Sequence, residues 1–227
     1  MRPMASLILF ALVAAGCGDD DTSVTATTAT SSPSPTSMSF FVSSARSATG
    51  NLGGLRGADA TCQSLATAVG QGAKTWRAYL SVERDPDNGN QATSARSRIG
   101  SGPWFNASGA MVAANVDDLH ARRGDAALFL DERGQRVNGQ WPGSPSPNEH
   151  DILTGSTAQG SVMAGMTCAD WTSASTSVQG QVGHSDGLGP GGDPSGNFGS
   201  WNSSHQNQDC SNTAPRGGAG RIYCFAR

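Results

Sequence analysis

Residues 53–82 read GGLRGADATCQSLATAVGQGAKTWRAYLSV, a glycine-rich turn followed by two segments of different periodicity. Apolar residues in the first segment are spaced by three and four positions, as on one face of an α-helix: Cys62, Leu65, Ala66 and Val69. Asp59 in the first turn and Gly70 after the last apolar residue are typical helix boundaries. The second segment alternates, as on one face of a strand: Trp76, Ala78, Leu80 and Val82. The stretch predicts a helix with Cys62 facing the core, followed by a strand.

Outside this stretch the predicted elements are short and are separated by turn residues. The chain has 30 glycines among 227 residues and only 15% charged residues, a composition typical of loops joined to short strands. The further elements that we predict are a short helix from Thr93 or Ser94 to about Ile99, a strand over 127–130, a turn over 131–134 and a closing strand over 221–226.

The N-terminal segment has the features of an export signal. Arg2 precedes an apolar run over 7–15, and small residues lead directly into Cys17. This pattern resembles a bacterial lipoprotein signal, which implies a signal peptide over 1–16 and acylation of Cys17. The run is about half of the roughly 20 apolar residues that span a bilayer, so we expect acyl chains rather than a transmembrane helix as the anchor. The alternative is an ordinary secretory signal with Cys17 as a spare thiol.

Two segments of different composition follow the signal. Residues 17–38 begin with the cysteine to be lipidated and are rich in Ser, Thr and Pro, which predicts a disordered tether. Residues 39–227 are long enough to form one domain with its own core. The net charge of −3 at pH 7 argues against nucleic acid as a partner. The expected location is the bacterial cell envelope, with the outer membrane as the expected membrane.

Eight short blocks run through residues 39–227 in a fixed order. They are GGLRGAD at 53–59, CQ at 62–63, AVG at 68–70, WRAYLS at 76–81, GPWFN at 102–106, QWPGS at 140–144, TCADWTS at 167–173 and IYCF at 222–225. In order and spacing, the opening blocks resemble endostatin, the C-terminal domain of certain vertebrate collagens. A family of bacterial lipoproteins with uncharacterised domains carries the same set and is the nearer relative.

This resemblance implies a fold and a disulfide pattern. The fold would be an α+β, C-type-lectin-like (endostatin-like) domain, loop-rich, with two short helices, small antiparallel sheets and termini brought together. The pairs would be nested, Cys62 with Cys224 and Cys168 with Cys210. Four cysteines by themselves allow three pairings, whereas an exported compartment independently favours their oxidation.

Metal sites are not expected from the sequence. Many C-type lectins bind sugar through calcium, and the segments at 146–149 and 201–203 correspond only in part to their calcium loops. Weak candidates for calcium are Asn148, Glu149, Asp151 and Asn202. Endostatin holds its metal with histidines near its own N-terminus, and this chain has none before His120. Its four histidines lack ligand spacing, which favours separate surface or loop residues: His120, His150, His184 and His205.

A ligand-binding surface is expected between Cys168 and Cys210, because loops on a braced scaffold commonly carry recognition. An aromatic ring and polar groups suited to a glycan or a protein would come from Trp201, Asn202, His205, Asn207 and Asp209, although a core tryptophan is the alternative for the first of these. We expect a lipid-anchored, non-catalytic binding module for a glycan, matrix component or protein, without a cofactor.

Two alternatives to this function remain open. One is a structural envelope lipoprotein with no specific ligand, and the other is an enzyme of unknown reaction, for which His184 with Asp186, or Ser185 with a histidine, would be the catalytic groups. An exposed aromatic with clustered amides at 180–210 would favour the binding module. Histidine and carboxylate groups converging in a cleft would favour the enzyme, and the absence of both would favour the structural protein.

Overall fold

The computed structural model describes residues 37–227. The predicted signal peptide, Cys17 and nearly all of the predicted tether lie outside the described residues. The strands of the described part are β1 (Phe40–Val42), β2 (Trp76–Ala78), β3 (Val82–Asp85), β4 (Gln91–Thr93), β5 (Trp104–Phe105), β6 (Met111–Ala113), β7 (Asp151–Leu153), β8 (Gln181–His184), β9 (His205–Gln206) and β10 (Gly218–Ala226). The helices are α1 (Gly54–Ala68), α2 (Ala95–Arg98), α3 (Val116–Ala121) and the single turn α4 (Cys168–Trp171).

Strand β10 lies at the centre of the main sheet, which has six strands. It pairs antiparallel with β1 and β2 and parallel with β7, and the sheet continues antiparallel from β7 through β8 to β9. Two small antiparallel sheets, β3 with β4 and β5 with β6, stand apart from it. The α+β class is confirmed, but the described residues form four α-helices, the first of 15 residues, where the resemblance implies two short ones. The expectation that all sheets are antiparallel is wrong at β7, which runs parallel to β10.

Helix α1 begins one turn earlier than the sequence predicts, so Asp59 lies in its second turn. The buried Asp59 carboxylate accepts hydrogen bonds from Arg77 at 2.7 Å, from Arg98 at 2.7 and 2.9 Å and from the backbone N–H of Ala78 at 2.8 Å. Asp59 therefore attaches the helix to β2 instead of capping it. The helix ends before Gly70, whose φ of 76° lies in the left-handed region that favours glycine.

The two disulfides that the resemblance implies are confirmed, and they are nested. Cys62–Cys224 joins α1 to β10, and Cys168–Cys210 joins α4 to the loop that precedes β10. The four residues of α4 have left-handed φ values of 48° to 63°. Such backbone costs roughly 1–2 kcal/mol per non-glycine residue, so the second disulfide braces a strained turn.

The single strand predicted over 76–82 is divided into β2 and β3. Between them, the backbone N–H of Tyr79 donates to Tyr223 O at 2.9 Å and that of Ser81 donates to Thr154 O at 2.9 Å. The chain thus passes from β10 toward β7. The side chains of Tyr79 and Ser81 are buried, and so are the apolar residues that alternate with them. This part of the chain is therefore covered by protein on both faces.

The strand predicted over 127–130 is wrong. This segment is a turn, because the Asp125 carbonyl accepts from the backbone N–H groups of Leu128 and Phe129, and the Asp125 carboxylate accepts from that of Ala127 at 2.8 Å. The predicted turn at 131–134 and the closing strand are present. Helix α2 matches the predicted short helix.

Two hydrophobic clusters lie on opposite faces of β10. Ile222 and Cys224 belong to the cluster under α1, whereas Tyr223 and Phe225 belong to a second, aromatic cluster. Because side chains alternate along a strand, this division shows that β10 is buried on both faces. Trp201 packs into the aromatic cluster. Among the helices of residues 37–227, none is long and apolar enough to cross a membrane.

Candidate metal centre

Strands β7, β8 and β9 bring histidine and aspartate side chains together. Asp151 at the start of β7 is the register partner of His184 at the end of β8. His205 on β9 is the partner of Val182, two positions before His184. Because side chains alternate with a period of two, these three polar side chains lie on one face of the sheet. His150, directly before β7, stacks on His184 with the ring centroids 4.2 Å apart.

The group His150, Asp151, His184 and His205 is called the His–Asp cluster below. His150 Nε2 and His184 Nε2 each lie 3.3 Å from Asp151 Oδ1, and His205 Nε2 lies 3.5 Å from Asp151 Oδ2. His184 Nε2 and His205 Nε2 are 3.0 Å apart. The same nitrogen of three imidazole rings therefore faces one carboxylate.

The other ring nitrogen of two histidines is held by an acceptor. His150 Nδ1–H donates to Asp186 Oδ1 at 2.8 Å, and His205 Nδ1–H donates to the carbonyl of Gln206 at 2.9 Å. These bonds orient both rings and, in the neutral tautomers, leave the Nε2 lone pairs facing the cluster. Histidines that bind metals typically donate their other ring N–H to a carboxylate or a carbonyl in this way, which fixes the tautomer and the orientation of the ring.

Asp186 itself is fixed by the backbone. Burial alone would raise the pKa of Asp186. The hydrogen bond from His150 and those from the backbone N–H groups of Gln140 and Leu188 outweigh burial and lower this pKa. Asp186 is therefore an ionised acceptor behind His150. Gly139 must be glycine for this approach, since a Cβ at that position would lie 2.2 Å from Asp186 Oδ2.

Asp151 is the unusual member of the cluster. It is only 2% exposed, and within the described part of the chain neither of its carboxylate oxygens accepts a hydrogen bond. Burial raises the pKa of Asp151 to about 6, and burial, with the neighbouring imidazoles, lowers the pKa of His184 to about 3. A buried carboxylate without donors is costly unless a cation compensates it.

The spacing of the donor atoms suits one metal ion. Three possible metal-ligand atoms lie within 4.8 Å of one another, one each from His150, Asp151 and His184. Tetrahedral zinc with ligand bonds of about 2.0–2.1 Å separates its ligand atoms by roughly 3.3 Å, and the cluster already contains two separations of 3.3 Å and one of 3.0 Å. His205 lies outside this group of three, and its Nε2 is 3.0 Å from that of His184.

A cavity opens over the histidine side of the cluster. Its volume is about 420 Å³, and its walls are Gln140, Asn148, His150, His184, Pro190, Phe198, His205 and Arg216. Asp151 does not line it. The His205 side chain is 26% exposed, whereas those of His150 and His184 are 4% and 2% exposed. An ion in the cluster would therefore be reached from the His205 side.

Most of the binding residues predicted between the cysteines have structural roles. Trp201 is fully buried and its indole N–H donates to Leu119 O at 2.9 Å, in agreement with the alternative of a core tryptophan. Asn202 is buried and donates to Tyr79 Oη at 2.9 Å. Neither offers a surface to a ligand, because the aromatic cluster covers both.

The remaining members of that predicted set are divided between a turn and the cluster. Asn207 is buried, accepts from the backbone N–H of Gly180 and donates to Asp209 O, each at 2.9 Å. Asp209 accepts from the backbone N–H of Ser211 at 2.9 Å and from its hydroxyl at 2.7 Å. Only His205 joins the His–Asp cluster.

The weak calcium candidates are held by different partners. Glu149 pairs with Arg46 at 2.8 Å and with Arg221, so its charge is already compensated. Asn148 Oδ1 accepts from the backbone N–H of His150 at 3.3 Å, while Asn202 lies in the core. The fourth candidate, Asp151, faces imidazole nitrogens rather than oxygen atoms.

The expectation of separate surface or loop histidines is wrong for three of the four. His150 and His184 are buried, and both meet His205 in the cluster; only His120 stands apart, with its Nε2 2.8 Å from Tyr79 Oη. The pair of His184 with Asp186 that the enzyme alternative would use is not formed, since Asp186 bonds to His150. Linear spacing missed this site because its residues come from three strands. An available signal was a polar residue beside short apolar runs, Asp151 before Ile152 and Leu153 and His184 after Val182 and Gly183.

Compared with known protein families and with curated proteins, the chain matches no family model and no curated sequence.

Proposed function

We propose that this domain binds a divalent transition metal ion through the His–Asp cluster, and we take zinc as the ion to be tested. The observation that carries the proposal is the buried Asp151 carboxylate, which accepts no hydrogen bond within the described residues and faces three imidazole nitrogens. A protein core retains such an arrangement at a cost in stability. A bound cation would stabilise the buried carboxylate by electrostatic attraction, so the cost of burying it would be offset in the metal-bound protein.

The donor set favours zinc over calcium. Calcium prefers six to eight oxygen ligands, whereas imidazole nitrogen suits zinc, copper, nickel and iron. Two imidazole nitrogens and one carboxylate oxygen, from His150, His184 and Asp151, supply three protein ligands of a tetrahedral zinc ion and leave its fourth position to His205 or to a molecule from the cavity. The Asp186 carboxylate holds the His150 ring and the Gln206 carbonyl holds the His205 ring, each with Nε2 facing the cluster.

We place this site in an exported, lipid-anchored domain of C-type-lectin-like, endostatin-like fold. The nested disulfides and the pairing of β1 with β10 near the two ends of the domain support this fold. The small residues before Cys17 support the lipid anchor at the cell envelope, with the outer membrane as the proposed membrane. Zinc would then be bound outside the cytoplasm.

Within that location, the metal site supports a binding module whose ligand-binding element is the ion itself. A structural lipoprotein without a ligand is disfavoured, because it would have no use for an uncompensated buried carboxylate. A specific observation favours a second candidate, a metal-dependent enzyme: histidine and carboxylate groups converge beside an open cavity, and catalytic zinc sites keep such access.

The metal proposal is tested by zinc analysis of the full chain purified in detergent. After saturation with zinc and extensive dialysis, we expect a single zinc ion per chain, lost in His184→Gln and in Asp151→Asn. The matched control is His120→Gln, which removes the histidine outside the cluster. Zinc retained by both cluster variants, or lost equally from the control, would refute the proposal.

The choice between binding module and enzyme is tested with the same zinc-loaded protein. A metal-dependent hydrolase should cleave a chromogenic ester or phosphoester in the wild type and not in His184→Gln. Zinc binding without turnover of either substrate favours the binding module.

A further inference from the structure

Resting on the metal site proposed above, we propose that the bound ion and Arg216 together bind the carboxylate of a small molecule with an apolar body. The ligand would occupy the 420 Å³ cavity over the cluster. This volume falls in the range of small-molecule sites, about 300–1,000 Å³.

The first argument is access to the ion. The side chains of His150, His184 and His205 line the cavity, whereas Asp151 does not. Zinc sites with three protein ligands, here one each from His150, Asp151 and His184, keep an open position for water or a ligand. The free side of the ion would face the cavity, and a ligand that enters there would meet the ion directly.

The second argument is the position of Arg216. Its guanidinium Nη1 donates to the carbonyl of Gln206 at 3.3 Å, which places it beside β9 and next to His205. Arg216 has a left-handed φ of 65°. The following Gly217 packs so closely that a Cβ there would lie 2.6 Å from Asn148 Nδ2 and 3.3 Å from His150 Cδ2. The turn that carries Arg216 is thus pressed against the cluster.

The third argument is the charge balance of the loaded site. The divalent ion and the Arg216 guanidinium together carry three positive charges. Asp151 and Asp186 carry one negative charge each, so the net charge of the loaded site is +1. A carboxylate carries one negative charge and balances this site. A phosphate monoester carries about −1.5 to −2 at neutral pH and would leave it negative.

The fourth argument is the apolar part of the wall. The Phe198 ring lies parallel to that of His184, with an interplanar angle of 7° and centroids 5.9 Å apart, and Pro190 is nearby in the same wall. These two side chains would contact the body of the ligand. Gln140 and Asn148 supply amides at the rim.

The test uses the full chain loaded with Co²⁺, whose visible absorption changes when an anion enters its coordination shell. Cobalt content is measured first, and benzoate, acetate, benzamide and inorganic phosphate are then titrated. We expect a spectral change with benzoate at lower concentration than with acetate, and none with the uncharged benzamide. Arg216→Asn, chosen because asparagine tolerates left-handed φ, should weaken benzoate binding about tenfold at low salt. Arg84→Gln, an exposed arginine outside the cavity wall, is the matched control and should leave it unchanged.

The outcomes separate this inference from the metal proposal. Failure to load cobalt in wild type refutes the metal site and the inference with it. Cobalt loading with no spectral response to either carboxylate refutes the inference alone. A stronger response to phosphate than to benzoate refutes the carboxylate class, and unchanged benzoate binding by Arg216→Asn refutes the role of Arg216.

Discussion

Replacing Asp151 by asparagine should make the metal-free protein more stable while abolishing zinc binding. The substitution removes a buried negative charge that accepts no hydrogen bond within the described residues and keeps the volume of the side chain. Burial raises the pKa of Asp151 from 3.8 to about 6. A difference of about two pKa units corresponds to roughly 3 kcal/mol, so metal-free Asp151→Asn should gain about 3 kcal/mol of unfolding free energy near pH 7.5.

The pH dependence of this gain follows from the direction of the shift. A carboxyl group whose pKa is higher in the folded than in the unfolded state holds its proton more tightly when folded. The cost of ionising Asp151 is therefore absent below about pH 4, grows between about pH 4 and 6 and is complete above. The stability difference between variant and wild type should follow the same course, vanishing near pH 4.

The assay is urea unfolding with EDTA and without reductant, followed by circular dichroism at several pH values. In excess zinc the order should reverse, since only the wild type gains binding energy. Asp117→Asn is the matched control, because the Asp117 side chain is 93% exposed, and it should shift neither curve. A metal-free Asp151→Asn protein that is less stable than wild type near pH 7.5, or a gain that does not change with pH, would refute the reasoning.

The other predictions concern the scaffold. Replacing both Cys62 and Cys224 by alanine should lower the free energy of unfolding in urea by about 5 kcal/mol, because the bridged residues are 162 positions apart. Replacing both Cys168 and Cys210, which are 42 positions apart, should lower it by about 4 kcal/mol. A clearly larger loss from the second pair would contradict the chain-entropy argument. Trp201→Ala should cost about 3–5 kcal/mol by creating a cavity in the aromatic cluster. A folded Trp201→Phe protein should keep its zinc, as measured by metal analysis, and loss of the ion from that protein would show that Trp201 belongs to the site.

Local pattern predicted the elements whose residues are close together in the chain. The spacing of Cys62 and Ala66 indicated the buried face of α1, and Gly70 marked its end. The segment at 127–130 looked equally like a strand, yet the capping interactions of Asp125 make it a turn. Apolar character alone does not distinguish a short strand from a buried turn.

Four features could be predicted without a structure: the α+β class, the first helix, the closing strand and, through the resemblance of the cysteine blocks, the nested disulfides. These depend on periodicities over a few residues and on the covalent chemistry of four side chains. The His–Asp cluster exists only in the folded domain. His150 and His205 are far apart in the chain, and they meet because the pairing of β7, β8 and β9 sets which residues are neighbours. Burial of Trp201 has the same origin, since β10 is covered on both faces only when the whole domain is assembled.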